Sequence, residues 1–179
     1  SGTLNVFANA HHYFGLHRTA DGGWVFREWA PNATDIVLVG DFSQWQEQIK
    51  YRLTNIGNGV WEVILKAGDL KHGDLYKMKV YWNGGMGERI PAYATRVVQD
   101  EESKIFSAQV WSPEAEYKWK KKSFKPKTSP LLIYECHIGM AQEREGVGTY
   151  VEFRDLVLPR IAADGYNAIQ IMAIQEHPY

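Results

Sequence analysis

Asp35-Ile-Val-Leu-Val-Gly-Asp-Phe-Ser-Gln-Trp45 joins a short, strongly β-prone run to a polar loop that carries two aromatic residues. Ile36 to Val39 has the length and branching of a strand, and Gly40 and Asp41 stop it. The loop then offers Phe42 and Trp45 on a turn. An indole in that position serves either as a plug folded over the sheet edge or as a flat platform for a ligand.

Extended segments of the same kind lie on both sides. Asp21-Gly22-Gly23 predicts a hairpin turn, and Trp24 to Ala30 a strand closed by Pro31. Leu4 to Ala10 reads as a short helix or lead-in, His11 to His17 as an edge strand, and Tyr51 to Leu53 as a brief strand. Asn55-Ile-Gly-Asn-Gly59 signals another hairpin. Val60 to Leu65 and Leu75 to Tyr81 alternate apolar with polar residues, as half-buried antiparallel strands do. Asn83-Gly84-Gly85 makes a glycine turn without the following helix or spacing of a phosphate cradle. Arg89 to Arg96 and Ile105 to Trp111 supply the last extended pieces. Seven or eight short strands separated by turns predict a two-sheet sandwich of immunoglobulin-like type over residues 1–111.

Composition narrows the function classes. The chain has 179 residues, 45% hydrophobic and 23% charged, with a net charge of −1. Such a balance offers no field for nucleic acid or an anionic membrane, and no apolar run is long enough to span a bilayer. A single cysteine, Cys136, excludes an internal disulfide and fits a reducing, cytoplasmic setting. The chain opens on Ser-Gly instead of Met, so a trimmed N-terminus is expected and a targeting segment stays an open question. Aromatic residues are abundant, with 7 Trp, 10 Tyr and 7 Phe. That surplus suits a binder of sugar rings, whose C–H faces pack on flat side chains, and equally a small sandwich with a bulky core. His11, His12 and His17 point in different directions along an extended strand, so no metal site is expected of them.

Residues 112–130 form a lysine- and proline-rich connector containing Lys118, Lys120, Lys121, Lys122, Lys125 and Lys127. Beyond it, over residues 131–179, the period changes. Leu131 to His137 reads as a strand. Thr149 and Glu152 have the spacing of a capping box, which satisfies two unpaired amides at a helix start. Tyr150, Phe153, Leu156, Val157 and Ile161 share one helix face; Pro159 is expected to kink the helix and Gly165 to end it. Ala168 to Ile174 is a near-continuous apolar run, the pattern of a strand covered on both faces. Strand, helix and strand predict one right-handed parallel crossover. A two-stranded parallel sheet is incomplete, and its bare edges predict self-association.

Trp24-Val-Phe-Arg-Glu-Trp-Ala-Pro31, the Trp45 stretch, Val60 to Leu65 and Asp74 to Trp82 together resemble the starch-binding β-sandwich that precedes the barrel in branching and debranching enzymes of the α-amylase superfamily. Phe14-Gly-Leu-His-Arg18, Ile133-Tyr-Glu-Cys-His-Ile-Gly139, Leu158-Pro-Arg-Ile161, Gly165-Tyr-Asn-Ala-Ile-Gln170 and Met172-Ala-Ile-Gln-Glu-His-Pro178 resemble the glycogen and starch branching enzymes in particular. The resemblance implies a mainly β fold, a sandwich followed by an incomplete βαβ piece of a (β/α)8 barrel. It implies a parent that cuts α-1,4 glucosidic bonds with retention and transfers the glucan to a 6-hydroxyl. Retention needs two carboxyl groups roughly 5–5.5 Å apart, which the family places on later barrel strands. No residue of this chain matches them, so the piece alone is expected to be inactive and without cofactor. For glucan binding the resemblance implies Trp45 as platform, Lys77 as hydrogen-bond donor and Trp82 as a second, imperfectly placed platform. The expected partners are α-glucan and the missing remainder of the barrel. A free-standing glycan-binding or scaffolding module and a debranching hydrolase are the alternatives.

Four polar residues near the ends of the parallel strands, Glu135, His137, Glu176 and His177, could be read as an acid–base or metal site, or as residues that orient loops. Cys136 and His137 are strand neighbours facing opposite ways, and the cysteine reads as a core residue.

Overall fold

The computed structural model describes residues 3–4, 8–125 and 130–174. It divides into two compact units, Ser1–Glu116 and Tyr117–Tyr179.

Among the described residues nine strands build the first unit: β1 (Gly15–Arg18), β2 (Trp24–Trp29), β3 (Ala33–Gly40), β4 (Thr54–Gly57), β5 (Val60–Leu65), β6 (Leu75–Trp82), β7 (Gly85–Arg89), β8 (Val97–Gln99) and β9 (Phe106–Gln109). One antiparallel sheet runs β1-β2-β5-β4 and the other β3-β6-β9-β8, with β7 also on β6. The second edge of β6 is divided: Leu75 and Tyr76 pair with β9, and Met78 to Trp82 with β7. Both sheets feed one core. Trp24, Phe26, Trp61, Val63 and Leu65 come from the first, Ile36, Leu38, Tyr76, Met78 and Ala108 from the second. The mainly β sandwich expected from the sequence is the observed fold.

In β3, Ile36, Val37, Leu38 and Val39 are all at most 1% exposed, so the strand is covered on both faces. Ile36 and Leu38 share the face of Val80 and Met78, and strand alternation turns Val37 and Val39 to the other face, where Val37 still packs into the same buried cluster. The chain after β3 curls back to supply the cover. Leu53 donates its amide to the Ile36 carbonyl at 2.9 Å, and Arg52 bridges Val37 on the outer edge. An otherwise bare edge strand is thereby closed against pairing with another chain.

Several expected boundaries move. The edge strand read over His11–His17 starts only at Gly15, because Ala10–His12 forms a 3-10 turn whose Ala10 carbonyl accepts from Tyr13 and Phe14. Gly15 ends that turn at φ +88, and a Cβ there would stand 2.8 Å from the Tyr93 carbonyl oxygen. Tyr51 likewise lies in a 3-10 turn, Ile49–Tyr51, instead of a strand. β7 and β8 were not anticipated. Residues 5–7 of the expected lead-in, Pro126 and Lys127 of the connector, and Glu176 and His177 lie outside the described residues.

Glu28 is a buried carboxylate at the end of β2. It accepts the amides of Trp29 (3.2 Å) and Ala92 (3.0 Å), and so fastens the segment that crosses from β7 to β8. Burial pushes its pKa up against the lowering effect of those two donors.

The second unit is the expected βαβ crossover: β10 (Ile133–His137) and β11 (Ala168–Met172) pair in parallel, Glu135 opposite Gln170. Between them runs a helix of three parts, α1 (Tyr150–Glu152), a π-helical stretch (Phe153–Val157) and α2 (Leu158–Ala163). The α-helical ladder changes register just before Pro159: Leu158 donates to the Phe153 carbonyl five residues back, where a proline interior to a regular helix would clash. Gly165, at φ +94, follows the helix end. Phe153, Val157 and Ile161 pack on Cys136 and Ile138, with Ile169 and Ile171 beside them. The cover expected on both faces of β11 is found on one; Ile133 and Met172, on the reverse face, are 52% and 45% exposed.

The capping box forms as the spacing predicts. Thr149 Oγ1 accepts from the Glu152 amide at 3.2 Å and Glu152 Oε2 accepts from the Thr149 amide at 2.8 Å. Arg144 adds hydrogen bonds of 2.8 Å to both carboxylate oxygens. The guanidinium and then the Thr149 amide hold the Glu152 carboxyl down at about 2. Its contribution to stability is therefore present above the ordinary value of 4.5 and is lost as pH falls toward 2. Unfolding followed at stepped pH should show that loss in the native chain and not in Glu152→Gln; equal slopes would contradict the arrangement.

Candidate functional site

The loop after β3 is built by close approach. A Cβ on Gly40 would lie 2.3 Å from the Leu75 carbonyl oxygen and 2.9 Å from the Tyr76 side chain, so only glycine lets β3 end against β6 here. Asp41–Ser43 then makes a 3-10 turn. The buried Ser43 hydroxyl accepts from the Gly40 amide and donates to the Gly40 carbonyl, each at 3.2 Å. Gln44 and Trp45 follow with φ of 54° and 58°, two successive non-glycine residues in the left-handed region. Each such residue costs about 1–2 kcal/mol. The Trp45 amide offsets part of this by donating to the Gly40 carbonyl at 2.9 Å. The half-buried Trp45 side chain is fixed at its polar end, with Nε1 donating to Asp41 Oδ1 at 3.0 Å. Asp41 Oδ2 accepts from the Leu75 amide at 2.8 Å, tying the loop to the start of β6.

β6 supplies the polar half. Lys77 and Lys79 stand opposite Val39 and Val37, on the face that the Trp45 loop crosses. Lys77 Nζ lies 3.7 Å from Glu88 of β7, and Lys79 Nζ lies 3.7 Å from Glu47 of the loop. The Tyr81 hydroxyl also donates to Glu47, and that bond, followed by desolvation, raises the phenol pKa. Arg52 pairs with Asp35 and reaches Glu47 at 4.0 Å. The result is an aromatic loop beside a row of ammonium, phenol and carboxylate groups. Such groups hydrogen-bond neutral polyols, and their mutual pairing leaves little net charge to attract an ion.

Residues 13–94 match the family described as Carbohydrate-binding module 48 (Isoamylase N-terminal domain). The matched stretch takes in β1 to β7 of the sandwich. The whole chain is also related to 1,4-alpha-glucan-branching enzymes. It is 41% identical to that of Yarrowia lipolytica and 39% identical to that of Dictyostelium discoideum, over 99% of its own length and 27% of theirs. It therefore spans about a quarter of the length of the curated relatives it matches. Among solved structures, type I pullulanase from Bacillus subtilis crystallised with maltose superposes with a TM-score of 0.73 at 23% identity, covering 98% of this chain and 26% of that one. The likeness in fold takes in both the sandwich and the parallel crossover.

Within the sandwich, the loop that carries Trp45 reaches the face of β6 that holds Lys77, through Glu47 beside Lys79 and Tyr81. Trp82 is not on that face. It is five residues from Lys77 along a regular strand, and alternation sends it to the reverse face. There its indole lies against Gly85, with the Arg89 guanidinium 5.6 Å from the ring centroid. Asp41, Glu47, Lys79, Tyr81 and Glu88 did not emerge from the sequence as site residues. The odd-numbered run Lys77, Lys79, Tyr81 was a usable signal for two of them. An open cleft bordered by Asp41, Leu75, Arg96, Asp100, Ser107 and Gln109 begins where the Trp45 loop starts.

In the second unit, Glu135 accepts from Gln170 Nε2 at 3.1 Å, a pairing that orients neighbouring strands. Cys136 is buried in the apolar cluster on the opposite face from His137, and desolvation raises its thiol pKa. Among the described residues no group of three or more His, Cys, Asp or Glu is placed to hold a metal ion.

Proposed function

We propose that this chain is the N-terminal part of a 1,4-α-glucan branching transferase, and that its module holds α-glucan on Trp45 with Lys77 as a hydrogen-bond donor. The observation that carries the first half is the relation to branching enzymes over 99% of the chain at 39–41% identity, against 23% for the pullulanase fold match. Residues 131–179 are then the first βαβ unit of the catalytic barrel, and the exposed Ile133 and Met172 face is the one that further strands would cover. The acids that cleave and transfer belong downstream, where an Arg-x-Asp strand and a later glutamate are expected in the reading frame.

Glucan binding is supported by the site itself. The indole is held at its N–H, which restrains the ring, and the loop that carries it meets donors of β6 through Glu47. Glucose rings in an α-1,4 chain expose an apolar face for stacking and a rim of hydroxyls for such groups. Maltoheptaose should quench or shift tryptophan fluorescence in a saturable manner, and cellohexaose, whose β-1,4 links flatten the chain, should not. Trp82→Ala should bind maltoheptaose like the native chain. Equal responses to the two sugars, or none, would overturn the α-glucan reading.

A further inference from the structure

We infer that Asp41 is the positioning residue of the Trp45 platform. This rests on the α-glucan reading of the same site. One carboxylate takes two donors that are far apart in sequence: Oδ1 accepts from the Trp45 indole at 3.0 Å, and Oδ2 accepts from the backbone amide of Leu75 at 2.8 Å. Trp45 and the Gln44 before it are both held in the left-handed region, and Leu75 opens the strand that carries Lys77 two positions later. Asp41 therefore sets the indole plane and at the same time fixes the distance from the loop to the donor strand. Other ties of the loop, among them Trp45 amide to Gly40 carbonyl and Ser43 hydroxyl to Gly40, hold its backbone and leave the ring free to turn about its own side-chain bonds. Among the described hydrogen bonds only the one to Asp41 reaches the ring. A ring so fixed loses no rotamer freedom when a sugar stacks on it, which is the general advantage of a preorganised site.

The test uses the 179-residue chain, maltoheptaose titration, and the indole N–H resonances. Asp41→Ala should weaken binding about tenfold, the worth of one charge-assisted hydrogen bond in an affinity. Asp41→Asn keeps one acceptor oxygen for two donors and should fall between Ala and native. The Trp45 indole resonance, assigned by its disappearance in Trp45→Phe, should move upfield in both variants, a change that a merely structural role for Asp41 would not produce. In the native chain that proton should exchange with solvent more slowly than the indole proton of the exposed Trp119. If Trp45→Ala binds like the native chain, the glucan reading fails, and the resonance shift alone decides the positioning. If Trp45→Ala loses binding while Asp41→Ala stays within about twofold of native, the positioning fails and the platform stands. Should Asp41→Ala not fold, the exchange rate in the native chain decides: exchange as fast as at Trp119 overturns the inference.

Discussion

Trp45→Ala should abolish the response of the chain to maltoheptaose, with affinity falling by about 2 kcal/mol or roughly thirtyfold. The size follows from what the ring does. A sugar stacked on an indole buries apolar area on both partners, and aromatic anchors of this kind dominate the energetics of small interfaces. Removing the ring also leaves Asp41 Oδ1 without its indole donor, exposed to water that can replace it. Trp45 is outside the inter-sheet core, so unfolding should change far less than binding. The chain has 7 Trp, so six remain to report the folded state in the variant. Trp45→Phe keeps a ring but not the N–H, and should recover part of the affinity. A fluorescence change of undiminished amplitude and midpoint in Trp45→Ala would remove the site.

Phe26→Ala should cost about 3–5 kcal/mol, a large share of the roughly 5–15 kcal/mol that holds a domain folded. Phe26 is fully buried, and its strand lies between β1 and β5, paired with Leu16 and Val63. Truncation opens a cavity flanked by two strands whose backbone bonds keep it from closing. Ile64→Ala is the matched control: it sits on the same sheet at 71% exposure and should change stability by only about 0.5 kcal/mol or less. Urea unfolding of the two variants measures both. Comparable losses would mean that the core does not lie where these residues place it.

Much of this was readable in order along the chain. The run Ile36–Val39 with its glycine stop, the alternating β5 and β6, the capping box at Thr149 and the helix end at Gly165 are all local signals, and each survives in the folded unit. The edge strand over His11–His17 and the strand at Tyr51 were misread for a common reason. A single 3-10 turn with aromatic residues has the same composition as a short strand and too few residues to reveal its period. β7 was hidden by Gly85 and Gly87, whose low strand propensity is overridden by pairing with β6. The separation of Trp82 from Lys77 was legible by counting five positions along one strand. The Asp41 contacts were not, since the partner amide at Leu75 is 34 residues away and only the fold brings it near.

The double cover of β3 bears on timescales as well as on packing. Its central amides have no route to solvent short of opening the whole sheet, so they should be among the slowest to exchange. The Trp45 loop springs directly from that strand. A recognition surface is usually drawn from the parts of a protein that open most often; the one proposed here grows from a segment that opens last, and its lifetime in that shape is tied to that of the entire sandwich.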